Sequence, residues 1–122
     1  MDAEKVLIVM SSGPSTHRRC ATPFHFATLA AAMDYEVTMF FTIDGTLLLV
    51  KGTAEAIYPK EGGQAVSEFL ALARDSGVHL VACPASLELH NLRREDLLPE
   101  VSLMGGAGMW ELAAEARTVL SF

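Results

Sequence analysis

The stretch Val78-His-Leu-Val-Ala-Cys-Pro-Ala-Ser-Leu-Glu-Leu-His90 is a short apolar run that stops on a cysteine followed at once by proline. Val78 to Ala82 has the length and apolar character of a buried strand, and Pro84 suits the first turn of a helix, where a missing N–H costs nothing. A strand that hands over to a helix here puts Cys83 at the helix N-terminus. Unsatisfied backbone N–H groups and the helix dipole favour a thiolate at that place, which makes Cys83 a candidate nucleophile. Ser86, three residues on, shares its helical face within reach of the sulfur, and His90 falls on the same face at the seventh position. The structural alternative is a small buried cysteine that simply ends a core strand.

Working outward, the same alternation of strand and helix signals covers the chain. Lys5 to Met10 reads as a buried strand, ended by the loop Ser11-Ser-Gly-Pro-Ser-Thr16. Thr22 offers an N-cap and Pro23 a first helical residue for a helix over Phe24 to Met33. Glu36 to Thr42 is a second strand. After Asp44-Gly45, Thr46 to Lys51 fits a short helix or an extended piece equally. Gly62-Gly63 opens a helix from Gln64 to Asp75, with Val66, Phe69, Leu70 and Ala73 on one face and Gly77 as its stop. Beyond the Cys83 turn, Pro84 to Leu89 and Arg94 to Leu98 are short helical pieces. Val101 to Met104 is a fourth strand, Gly106 to Ala116 a helix and Thr118 to Phe122 a last strand. This order predicts a single α/β domain over residues 1–122, an open and mostly parallel five-stranded sheet with helices on both faces.

Composition narrows the function classes. The 122 residues are 51% hydrophobic, enough for one core, and so high an apolar share in a small chain predicts burial against further copies. A net charge of −6 argues against nucleic-acid binding, which needs clustered Lys and Arg. Val37 to Val50, the longest apolar stretch, is broken by Asp44 and Gly45 and is too short to span a bilayer. Met1-Asp-Ala-Glu-Lys5 has neither the basic start nor the apolar core of a signal peptide, so a cytoplasmic protein is expected. Two cysteines in such a chain are expected as free thiols, and no Cys-x-x-Cys pair is present.

In an open parallel sheet ligands gather beyond the carboxyl ends of the strands. The segments expected there are Ser11 to Cys20, Asp44-Gly45 and Cys83 to Ser86. Within the first, His17-Arg18-Arg19-Cys20 sets two guanidinium groups beside a thiol, a pattern that lowers a thiol pKa or holds an anion. Arg93-Arg94 follows the Cys83 turn, so four of the nine basic residues lie near the two cysteines in sequence. A solvated loop with a spare cysteine is the plain alternative. Cys20, Cys83, His17, His25 and His90 are all metal-capable, but no closely spaced ligand pair of the zinc-finger type appears among them, and neither metal nor cofactor is expected. His25 and His79 read as packing or surface residues. Gly105-Gly-Ala-Gly108 before a helix could cradle a phosphate, yet it lacks the third glycine of the dinucleotide fingerprint, and tight strand-to-helix packing is its simpler use.

With these residues in place, the chain resembles the DsrE/DsrF-like family of small sulfur-relay proteins with the YchN-like fold. The resemblance runs through Ala30-Ala-Ala-Met33, Glu36-Val-Thr-Met-Phe-Phe-Thr42 and Asp44-Gly45, then Val81-Ala-Cys-Pro-Ala-Ser86, then Gly105-Gly106 and Val119-Leu-Ser-Phe122. Its most specific element is the Cys-x-x-Ser step after a strand. The resemblance implies a three-layer α/β/α protomer assembled into trimers or hexamers. It also implies sulfur carried as a persulfide on Cys83 and exchanged with TusA-like carriers or rhodaneses.

The chemistry fits that role, because a persulfide carrier needs one accessible thiolate and no thiol beside it to discharge the persulfide. The leading expectation is thus a sulfur carrier or sulfurtransferase that accepts sulfane sulfur or a thiosulfonate group on Cys83. His17, Arg18 or Arg19 would hold an anionic donor. The competing expectations are a non-catalytic assembly module with Cys83 structural, and a nucleotide or flavin pocket at Gly105 to Gly108.

Overall fold

A computed structural model describes residues 3–122 of the chain. Five strands, β1 (Lys5–Met10), β2 (Glu36–Phe41), β3 (His79–Ala82), β4 (Ser102–Leu103) and β5 (Thr118–Ser121), form one sheet in the order β4-β3-β2-β1-β5. Every neighbouring pair is parallel. The helices are α1 (Thr22–Ala32), α2 (Val66–Asp75), α3 (Pro84–Leu89) and α4 (Gly106–Glu115), with 3-10 turns at Pro14–Arg19, Ile43–Leu49, Ala54–Ala56 and Arg94–Asp96. The segment that fitted helix or strand equally is both: the turn ends at Leu49, and Val50 forms an isolated antiparallel bridge to Leu97.

Strand parity sorts side chains into two layers, because successive residues point to opposite faces. Val6, Ile8, Met10, Val37, Met39, Phe41, Leu80 and Ala82 join Phe24 and Ala27 of α1 and Val66, Leu70 and Ala73 of α2 in the main core. The opposite phase, Leu7, Phe40 and Val81, builds a smaller cluster covered by Met109, Leu112 and Ala113 of α4. Along β1, β2 and β3 both faces are covered, which is why these strands read as nearly continuous apolar runs, whereas β4 and β5 at the sheet edges are exposed.

Three local expectations shift. Thr22 is the first helical residue of α1 rather than its cap; Ala21 is the N-cap and makes no side-chain bond. Helix α2 begins at Val66, where the Glu68 carboxylate accepts the Ala65 N–H at 3.1 Å and so replaces a polar cap residue. The fourth strand is only two residues long because Val101 is used elsewhere. Its N–H donates to the Leu98 carbonyl and its own carbonyl accepts from the Arg94 guanidinium. Gly77 ends α2 as expected, at φ +92°, a conformation glycine adopts without strain.

At the carboxyl edge the loops after β1 and β2 touch backbone to backbone. A Cβ on Gly45 would lie 2.1 Å from the Met10 carbonyl oxygen, and one on Gly13 would lie 2.3 Å from that of Asp44. Gly45→Ala is therefore expected to lower unfolding free energy by about 3 kcal/mol, the upper range for overpacking against unyielding atoms. Gly105→Ala, with nothing within 4 Å of the new Cβ, should change it by less than about 0.5 kcal/mol. Urea midpoints of the two variants against the parent test this pair; equal midpoints would refute the close approach.

Candidate functional site at the carboxyl ends of β3 and β4

A parallel sheet offers a crevice where neighbouring strands send their outgoing connections to opposite faces. Strand β3 leads into α3, whose Leu87 packs in the main core beside α1 and α2. Strand β4 leads into α4, which lies on the other face. The two strands are neighbours, with Val81 paired to Ser102 and Ala82 to Leu103. Cys83 and Met104, the residues that directly follow, thus stand side by side at the place where the connections part.

The backbone of Cys83 serves two structures at once. Its N–H donates to the Phe41 carbonyl at 3.0 Å and prolongs the β2–β3 ladder, while its carbonyl accepts the Ser86 N–H at 3.0 Å and the Leu87 N–H at 3.3 Å. Extended dihedrals of φ −82° and ψ 122° make it the N-cap of α3, as the sequence suggested, with Pro84 at the first helical position. Its side chain follows the phase of Val81, so it is half-buried against the Leu7–Phe40–Val81 cluster together with Val9, Met104 and Met109. Among the described residues its sulfur makes no hydrogen bond.

Ser86 does not serve the sulfur. The residue is 5% exposed, and its hydroxyl accepts the Ile43 N–H at 2.7 Å and lies 3.2 Å from the Thr42 hydroxyl. Ile43 is held at φ +52°, a left-handed conformation that costs a β-branched residue about 1–3 kcal/mol and persists only under such restraint. His90 completes the tether: its Nε2 lies 3.1 Å from the Ile43 carbonyl and 3.4 Å from an Asp44 carboxylate oxygen. The i+3 and i+7 spacing from Cys83 is real, but Ser86 and His90 fasten α3 to the loop after β2.

The basic turn is also separate from Cys83. His17, Arg18 and Arg19 are exposed and line, with Ser15 and Thr16, a shallow depression of about 220 Å³. None of the three forms an ion pair among the described residues. They follow β1, and β2 stands between β1 and β3, an offset of about 10 Å across two strand spacings. Arg94 is not free for an anion: its guanidinium donates to the carbonyls of Leu98, Pro99 and Val101. Cys20, Cys83, His17, His25 and His90 are not gathered, and no group of three or more His, Cys, Asp or Glu side chains could hold a metal ion among the described residues. Gly105 to Gly108 serves packing at its last position, where a Cβ would lie 2.7 Å from Met104 Cγ. Sequence reasoning missed Met104 and Met109; the signal was a methionine at the end of β4 and another in the first turn of α4.

Cys20 corrects the expectation of an activated thiol. It is fully buried in the main core, its Sγ 3.4 Å from the Gly13 carbonyl and 3.6 Å from that of Thr16, and burial pushes its pKa from 9.0 up to about 11. The neighbouring guanidinium groups point to solvent and do not offset the desolvation. A thiol with a raised folded pKa leaves stability intact below the unfolded value of 9.0 and removes it as pH rises through about 11. Between those limits the unfolded chain ionises first, so stability should fall by up to about 1.4 kcal/mol per pH unit. Urea melts from pH 8 to 10.5 should show this slope in the parent and a shallower one in Cys20→Ala; parallel slopes would refute it.

Comparison with known proteins agrees with this architecture. The family model for the DsrE/DsrF-like family matches residues 4–122. The sulfur carrier protein DsrE2 of Allochromatium vinosum is 22% identical, over 95% of this chain and 96% of its own. Among solved structures, the YchN protein of E. coli superposes with a TM-score of 0.81 at 16% identity, covering 98% of this chain and 99% of that one. MTH1491 of Methanobacterium thermoautotrophicum, a protein of unknown function, superposes with a TM-score of 0.70 at 16% identity, covering 99% and 100%. A family match over nearly the whole length, on a parallel five-stranded sheet of the YchN type, places the chain: it belongs to the DsrE/DsrF-like family.

Proposed function

We propose that this chain is a sulfur carrier that holds sulfane sulfur on Cys83 as a persulfide and passes it to a protein partner. The observation that carries the reading is the position of Cys83, half-buried at the crevice between the carboxyl ends of β3 and β4, in a family with a sulfur-carrying relative. In the loading step the Cys83 thiolate attacks the outer sulfur of a donor persulfide. A new S–S bond forms on Cys83, the donor S–S bond breaks, and the donor leaves as a thiolate, with no net oxidation. Unloading is the same exchange with an acceptor thiolate. Cys20 supports the role by its place: buried on the opposite face of the sheet, it does not reach the persulfide to discharge it as a disulfide.

The same reading extends to partners. TusA-like or rhodanese-like proteins suit the exchange, since each presents a single sulfur-bearing cysteine, and the unpaired His17, Arg18 and Arg19, two strand spacings from Cys83, suit an anionic part of such a donor remote from the transferred sulfur. Exposed Phe26, Leu29 and Met33 along α1, Trp110 on α4 and Val119 on β5 leave apolar surface that a homotrimer or homohexamer would cover. Among the described residues no helix is long and apolar enough to cross a membrane, and the proposal sets the relay in the cytoplasm as one domain. A second reading, an assembly module with Cys83 structural, is favoured by one observation, the apolar packing of Cys83 without a hydrogen-bonding partner.

The two readings separate on one measurement. After incubation of the reduced protein with polysulfide or thiosulfate, intact and peptide mass spectra should show one added sulfur atom on Cys83, left by a polysulfide that departs one sulfur shorter or by a thiosulfate that departs as sulfite. The adduct should be released by reductant and absent from Cys83→Ser, with Cys20 unmodified in the folded protein. A free Cys83 under both donors would overturn the carrier and leave the assembly module.

A further inference from the structure

The crevice holds more sulfur than a carrier requires. Met104 continues the register that pairs Ala82 with Leu103, and its N–H donates to the Ala82 carbonyl at 3.1 Å, so it stands beside Cys83 on the adjacent strand. Neighbouring strands lie about 4.8 Å apart, which sets the approach of side chains at paired positions on one face. Met109 comes down onto the same cluster from the first turn of α4, so Cys83, Met104 and Met109 are all packed against the cluster that Leu7, Phe40 and Val81 form. Gly108 makes the arrangement possible. A Cβ there would fall 2.7 Å from Met104 Cγ and 3.4 Å from its Sδ, so the missing side chain lets the Met104 thioether lie beneath α4.

We propose that Cys83, Met104 and Met109 form a binding site for Cu(I). One thiolate and two thioethers are soft ligands, the set that selects monovalent copper over Zn(II) or the hard divalent cations. The charge balance points the same way. Cys83 releases its proton as its sulfur binds, and Cu⁺ with one thiolate and two neutral thioethers has no net charge. Such a centre loses little on entering an apolar cluster, whereas a divalent ion there would keep an uncompensated charge at a cost of several kcal/mol. No cluster of His, Cys, Asp or Glu competes for the metal among the described residues. Copper stays Cu(I) throughout, so binding needs no oxidant or reductant. The site does not depend on sulfur transfer, though a persulfide and Cu(I) would exclude each other at Cys83.

The test is an anaerobic titration of the reduced full chain with Cu(I) against a chromophoric Cu(I) chelator, with no sulfane donor present. One Cu(I) per chain is expected, with an X-ray absorption spectrum of sulfur-only coordination. Cys83→Ser should abolish binding and Cys20→Ala should leave it unchanged. Met104→Leu and Met109→Leu, near-isosteric and checked for unchanged melting, should each weaken binding about tenfold or more, at least the loss seen when partners that support a metal ligand are removed. Failure to compete with the chelator, loss of binding in Cys20→Ala, or parent affinity in the double methionine variant would each overturn the site. A protein that binds Cu(I) yet takes no sulfur would keep this inference and lose the carrier; the converse would do the reverse.

Discussion

A twisted parallel strand returns to its own sheet through a right-handed crossover, and here the strand order makes that rule reverse the layers once. From β1 the chain steps outward through β2 and β3 to β4, always in one direction, so the intervening helices gather on one face. From β4 it must travel back past three strands to reach the far side of β1. The same handedness then sends α4 to the opposite face. Only between β3 and β4 do adjacent strands release their chains to different sides, and that parting opens the crevice in which Cys83 stands.

Two further constraints keep the crevice in shape. Gly13 and Gly45 let the first two carboxyl-edge loops meet at backbone distance, so the loop after β2 has no freedom to drift. Ser86 and His90 then bind that loop to α3, and the Ser86 bond satisfies an Ile43 N–H in a strained conformation. Ser86 and His90 are therefore spent on holding the turn, and Cys83 itself packs against an apolar cluster.

The strands and longer helices were legible because both depend on local pattern: continuous apolar runs for buried parallel strands, and a 3.6-residue stripe with a glycine stop for α2. The site was legible only in part. Cys83 as N-cap of α3 followed from Cys-Pro after an apolar run. The roles of Ser86 and His90 did not, since their partners Ile43 and Asp44 lie more than forty residues away in another loop. Cys20 looked activated beside two arginines, yet the turn carries its thiol inward and their guanidinium groups outward, so desolvation prevails. Met104 and Met109 drew no reading as site residues, because nothing in their own neighbourhood in sequence names Cys83 as a companion.

By itself, then, the amino-acid sequence determined the alternating α/β class and the junction at which Cys83 sits, both of which are set by side-chain pattern within a few residues. Tertiary structure decided which strands are neighbours, where the layers reverse, which thiol is buried and which methionines pack on the cluster that Cys83 joins. Those outcomes depend on crossover handedness and on contacts between segments far apart in the chain, and no local pattern encodes either one.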